Sequence, residues 1–203
     1  MRSYSDACEE LAWKTVKPDH CWILDKLQLA RRLGYICGPC GTPVPTPGTY
    51  VVRPTVNPFG MERSTKFLEL TDNTDHLLPG HFWCEKFLGS HLTIDLYWGE
   101  PAFSAIGTKE NRRFTSWKIL EKSPNLSNTN INQTLLDILS QYPVSNLELI
   151  NGNIIEIHLR ANPDFLYENT EFIPVYDDST KHPFGYKYIE CPEENGRIGA
   201  FIK

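Results

Sequence analysis

Apolar positions along this 203-residue chain switch repeatedly between a helical and a strand period. In WILDKLQLARRLG, residues 22–34, Ile23, Leu27, Ala30 and Leu33 recur at helical spacing and Gly34 is a ready stop, which predicts a helix. Residues 4–14 read as a shorter amphipathic helix with a cap at Ser5. Asn130 to Tyr142 reads as a third helix, with Ile131, Leu135, Ile138 and Leu139 on one side. Strand patterns fill much of the rest. YVVRP is a short strand ended by Pro54, and residues 81–98 form two strands bent around Gly89. LTIDLYW in the second of these alternates, which predicts two different faces. PAFSAIGTKE and FTSWKILEK add further antiparallel strands. LELINGNIIEIHLR at 147–160 is a hairpin, because Asn151-Gly152 between two apolar runs favours the left-handed turn. The proline- and glycine-rich stretch 37–48 and NPFGM at 57–61 read as loops, and the tail from 163 shows little periodicity. The pattern predicts an α+β fold with antiparallel sheets.

Composition narrows the function class. A hydrophobic fraction of 40% and a charged fraction of 22% are ordinary for a globular protein, and a net charge of -5 argues against a nucleic-acid partner. Met1 to Glu10 carries acids and no apolar run, so no secretory signal is expected. No stretch approaches the roughly 18 apolar residues of a membrane helix. These features predict a cytoplasmic protein with no membrane partner, and the small size also suits a virus-encoded protein acting in host cytoplasm. Six cysteines in a chain of this length are expected as reduced thiols.

Several constellations could carry chemistry. Glu148 and Glu156 lie on the two arms of the hairpin, and Glu156, His158 and Arg160 alternate along the second arm, so they share one face. Paired carboxylates suit Mg²⁺, and Arg160 could hold a phosphate or a substrate carboxylate. The same alternation is also normal on a half-exposed strand. Lys26 and Arg53 are cations in apolar frames and could neutralise a polyphosphate, or could equally be a snorkelling lysine and a surface arginine. The loop with Asn57 and Gly60 could present backbone N–H groups to phosphates. HFWCEKFLG could line a purine pocket or be core strand. Arg112 and Arg113, between two strands, are either acceptor contacts or exposed loop residues. Cys37-Gly-Pro-Cys40 has the spacing of a redox motif, but it follows a helix instead of opening one.

In order, ILDKLQLARRLG, CGTPVPTPGTYVVRP, NPFGM, WCEKFLGSHLTIDL and LELINGNIIEIHLR resemble the motifs of the ATP-grasp superfamily over residues 22–165. The resemblance implies two small lobes whose antiparallel sheets clasp a nucleotide, with 51–100 as the clasping lobe and 1–50 with 101–203 as the other. It implies ATP phosphate contacts from Lys26 and Arg53, and a lid around Asn57 and Gly60. A hinge at Glu85, Lys86, Phe87 and Leu88 would read adenine. Glu148, Glu156 and His158 would bind the metal, and Arg160 would contact phosphate or substrate. Arg53 replaces the family's lysine, His91 stands where an acid holds the ribose hydroxyls, and His158 replaces an asparagine, a change that could admit Mn²⁺.

The implied activity is an ATP- and Mg²⁺-dependent carboxylate–amine ligase acting through an acyl-phosphate on small-molecule or peptide acids and amines. Arg53 and Arg160 would be its catalytic residues. Few residues precede the first matching helix, so the ATP-grasp lobes themselves, the tail at 163–203, or a partner chain or second copy would complete the substrate site. The alternatives are a degenerate ATP-grasp domain that binds nucleotide or serves as an interaction protein, and, more remotely, a CxxC thiol oxidoreductase.

Overall fold

A computed structural model describes residues 9–56, 65–110, 113–162, 170–177, 179–190 and 197–203. Helix α1 is Glu9–Thr15, α2 is Lys26–Arg32 and α3 is Gln133–Leu139. Strands β1 (Cys37–Pro39), β2 (Gly48–Pro54), β3 (Lys66–Leu70) and β4 (His81–Glu85) form a four-stranded sheet in the order β1-β4-β2-β3. Strands β5 (His91–Tyr97), β6 (Glu100–Glu110), β7 (Arg113–Lys122), β8 (Val144–Ile150), β9 (Asn153–His158), β10 (Glu171–Val175), β11 (Lys187–Glu190) and β12 (Gly199–Ile202) form the second sheet. Its order is β11-β12-β10-β7-β6-β5-β8-β9, and the pairings in both sheets are antiparallel. Among the described residues no helix is long and apolar enough to cross a membrane.

The helix expected at 22–34 is two pieces. A 3-10 helix, Pro18–Ile23, ends at Leu24, and Asp25 then takes an extended conformation. Its carboxylate accepts the N–H groups of Leu27 and Gln28, both at 2.9 Å, and so starts α2 afresh. The apolar positions continue across the break but serve two clusters: Ile23 and Leu29 enter the core under the large sheet, while Leu27 and Ala30 pack with Phe82 and Cys84. Gly34, at φ +79°, ends the second piece as its sequence position implies.

Residues 37–48 are not all loop. β1 pairs with the edge of β4, and Pro39 faces Phe82 at a position where the ladder asks for no N–H. The strand β3 and the three tail strands β10–β12 carry no local signal; they are set by distant partners, as where Phe172 lies between Trp117 and Ile202. The third helix is shorter than expected, starting at Gln133 under an Asn132 cap. Sheet membership changes between Glu85 and His91, where β5 joins the large sheet.

The core lies between the large sheet and the helices. Ile94, Leu96, Leu147, Leu149, Ile154 and Ile157 pack one sheet face against Ala12, Leu29, Leu135 and Leu139. α2 also serves the small sheet, burying Leu27 and Ala30 against Phe82 and Cys84. One short helix therefore joins both sheets, and its first residue is Lys26.

Candidate functional site

The face of the large sheet opposite the helices is polar where β5, β8 and β9 run side by side. Alternation places His91, Thr93 and Asp95 of β5, Asn146 and Glu148 of β8, and Glu156 and His158 of β9 on this face. Glu148 and Glu156 are direct cross-strand partners. Beyond them the register slips, because Leu149 pairs with Ile154 and Ile155 is the extra residue of a bulge. The bulge sends both Ile154 and Ile157 into the core while keeping Glu156 and His158 on the polar face. It also frees the Ile155 carbonyl, which accepts Arg53 Nη2 at 2.7 Å.

Both distant cations reach the hairpin. The backbone N–H of Lys26 donates to Thr55 O at 2.8 Å, which pins the start of α2 to the end of β2. Lys26 Nζ lies 3.0 Å from Glu156 Oε1, with the lysine side chain only 5% exposed. His158 Nε2 sits between the carboxylates, 3.5 Å from Glu156 Oε1 and 3.6 Å from Glu148 Oε1. His91 Nε2 approaches Glu148 Oε2 at 3.2 Å from the other side, outside hydrogen-bond geometry. Burial works to raise the Glu148 carboxyl, but the imidazoles of His158 and His91 outweigh it and hold it well below the usual carboxylate range.

His91 is buried, edge-on to Phe114 with ring centroids 4.9 Å apart and to Trp117 at 6.0 Å. Among the described residues no three His, Cys, Asp or Glu side chains are placed to hold a metal ion as they stand. The donor chemistry nevertheless fits Mg²⁺: two carboxylates stand side by side, one of them held ionised, with a cation already drawn to the other.

The remaining candidates are distributed around this cluster. Glu85 spends its carboxylate on the Ile36 N–H at 2.8 Å, fixing the end of β4. Phe87 packs edge-on against Tyr35 at 4.7 Å, Leu88 is exposed, and Lys86 Nζ lies 5.0 Å over the Phe67 ring. Arg160 Nη1 donates to Ala161 O at 3.0 Å. Asn57, Gly60, Arg112 and the Arg113 side chain lie outside the described residues. Cys37 and Cys40 face opposite sides of β1, Cys37 toward Phe82 and Cys40 toward Val44 and Trp83. Burial raises the Cys37 thiol, opposite to the lowered thiol pKa of a catalytic CxxC pair.

Two groups escaped the sequence. Tyr35 donates to Ile154 O at 3.0 Å and accepts from Asn130 Nδ2, while Asn130 Oδ1 accepts the Ile154 N–H at 3.0 Å. Burial pushes the Tyr35 hydroxyl up to about 12. The second group is buried: Asn146 Nδ2 donates to Thr93 Oγ1 at 2.6 Å and Asp95 Oδ1 at 2.9 Å, and the Asn162 N–H donates to Asp95 Oδ1 at 3.0 Å. A signal existed for these, since Asp95 and Asn146 sit at even spacing from His91 and Glu148. The polar network holds the segment after β9 against the sheet centre.

No protein-family model matches the sequence, and no curated protein matches it. Among solved structures, N5-carboxyaminoimidazole ribonucleotide synthetase from Thermus thermophilus aligns with 98% of this chain and 75% of its own, at a TM-score of 0.57 and 10% identity. The chain has the ATP-grasp fold. An ATP-grasp superfamily protein from Archaeoglobus fulgidus matches 70% of the chain at 14% identity and a TM-score of 0.47, and the chain spans about half of that protein, 47%. L-amino acid ligase from Bacillus licheniformis matches 68% at 10% identity and a TM-score of 0.46, with 40% of its own length covered. The α+β class and the antiparallel sheets are those of the ATP-grasp fold.

Proposed function

We propose that the chain is an ATP- and Mg²⁺-dependent carboxylate–amine ligase. The observation that carries this reading is the contact of Lys26 with Glu156, which, with Arg53 on the Ile155 carbonyl, brings two cations from one sheet and its helix onto the carboxylate hairpin of the other. On this reading Lys26 exchanges Glu156 for a phosphate oxygen, and Arg53 turns from the bulge carbonyl to a second one. Glu148 and Glu156 would hold Mg²⁺, with His158 as a nitrogen neighbour that also accommodates Mn²⁺. The metal supplies charge neutralisation on the phosphate oxygens.

Residues 85–88 border the adenine side, where Tyr35 and Phe87 offer an aromatic wall. In the reaction a substrate carboxylate oxygen attacks the γ-phosphorus and ADP leaves. An amine then attacks the acyl carbon, phosphate leaves, and the amine loses a proton. Such transfers need positioning and fixed positive charge more than a protein nucleophile. Arg160 would orient the acid, and the acceptor side would be completed by the tail or a partner chain.

A second reading, a nucleotide-binding domain without turnover, is favoured by one observation: Lys26 is already paired with the Glu156 carboxylate. Phosphate release from ATP and Mg²⁺ with a panel of amino acids and amines separates the two. Release that requires both an acid and an amine supports the ligase. ATP binding with no release under any pairing supports the second reading, and no ATP binding removes both.

A further inference from the structure

Cys37 and Cys84 are cross-strand partners on β1 and β4. The Glu85 N–H donates to Ile36 O at 2.8 Å and the Cys40 N–H donates to His81 O at 3.0 Å. Hydrogen-bonded pairs therefore fall at 36–85 and 40–81, and the cysteines oppose each other at a non-hydrogen-bonded pair. At such a pair the Cα atoms lie about 4.5 Å apart and the side chains lean together. A disulfide spans Cα separations of about 4.4–6.8 Å. Both side chains join one apolar cluster with Leu27, Ala30 and Phe82, and both thiols are free in this structure. Cys40 is excluded as the partner of Cys37. It points to the opposite sheet face, and three steps of extended strand put its Cα about 10 Å away.

We propose that Cys37 and Cys84 form an oxidative cross-link site, closed by a low-molecular-weight disulfide. Cys37 is the more exposed thiol and reacts first. Its thiolate attacks one sulfur of the small disulfide, breaking that S–S bond and releasing one thiol. The Cys84 thiolate then attacks Cys37 Sγ and expels the second. The two protein thiols lose two electrons and two protons, and the small disulfide becomes two thiols. Burial raises both thiols, Cys84 to about 12, so closure is slow near neutrality and faster as pH rises. The bond ties β1, which follows the Lys26 helix, to β4, which leads into residues 85–88. This site does not depend on the proposed ligase activity.

The test is incubation of the full chain with oxidised glutathione at mildly alkaline pH, followed by non-reducing peptide mapping. The expected product in both the wild type and Cys40→Ser is a peptide pair joined through Cys37 and Cys84. Oxidation should raise Tm by roughly 5–10 °C, and dithiothreitol should reverse the shift. Cys37→Ser and Cys84→Ser should each lose the linked peptide and the shift. A Cys37–Cys40 bond, a bond from either residue to another cysteine, or a glutathione adduct persisting on Cys37 would overturn the proposal.

Discussion

At the residue scale the site rests on a nearly buried ion pair. Removing Lys26 leaves Glu156 beside His158 with less compensation, and breaking such pairs is costly even where the intact pair adds little. Lys26→Met is therefore expected to destabilise the fold by about 2–4 kcal/mol, measured by urea unfolding. Adding Glu156→Gln to it should recover part of that loss, giving a coupling of about 1–3 kcal/mol in the double-mutant cycle. Full additivity would mean that the 3.0 Å contact carries no energy.

Cys84 makes a second residue-scale prediction, on pH. Its thiol is pushed up to about 12 from a usual value of 9.0. A raised pKa means that the folded state favours the protonated form, so its contribution is complete below pH 9 and is lost as pH rises toward 12. Each unit across that window costs about 1.4 kcal/mol at most. Unfolding free energy measured from pH 8 to 10.5 should fall less steeply in Cys84→Ala than in the wild type.

At the scale of elements, α2 and the β8–β9 hairpin do the positioning. Asp25→Ala removes the cap that starts α2 at Lys26 and should cost about 1 kcal/mol by denaturant titration. The hairpin turn demands more. Gly152 has φ +81°, and a Cβ there would meet Asn128 O at 2.2 Å, whereas Gly34, at φ +79°, has nothing within 4 Å of its own. Gly152→Ala should thus destabilise clearly more than Gly34→Ala, for which about 1 kcal/mol of left-handed strain is expected. Equal losses would show that the Asn128 contact relaxes freely.

These two elements also mark what can be read from the chain. Asn151-Gly152 announces its turn through dihedral preference, and Glu156 and His158 announce their shared face through a period of two. The Ile155 bulge has no local signature, yet it sets which isoleucines enter the core and gives Arg53 its carbonyl. The apolar period over 22–34 misleads at Asp25, where a single capping side chain overrides a continuous helical pattern. The strands β10–β12 depend on partners far along the chain, such as Trp117 for Phe172, so no window around them could reveal them.

At the scale of the whole molecule, the two sheets meet at a few named links: Lys26 with Glu156, Arg53 with Ile155, and Tyr35 with Ile154 and Asn130. All three converge on β9. The ligase reading depends on this convergence, since phosphate cations and metal carboxylates must surround one nucleotide. Isothermal titration of ATP with and without Mg²⁺, for the wild type and Glu156→Gln, tests it most directly. Mg²⁺ should tighten ATP binding to the wild type by roughly tenfold or more, and Glu156→Gln should lose most of that increment. An undiminished Mg²⁺ increment in Glu156→Gln would contradict a nucleotide–metal site at the hairpin.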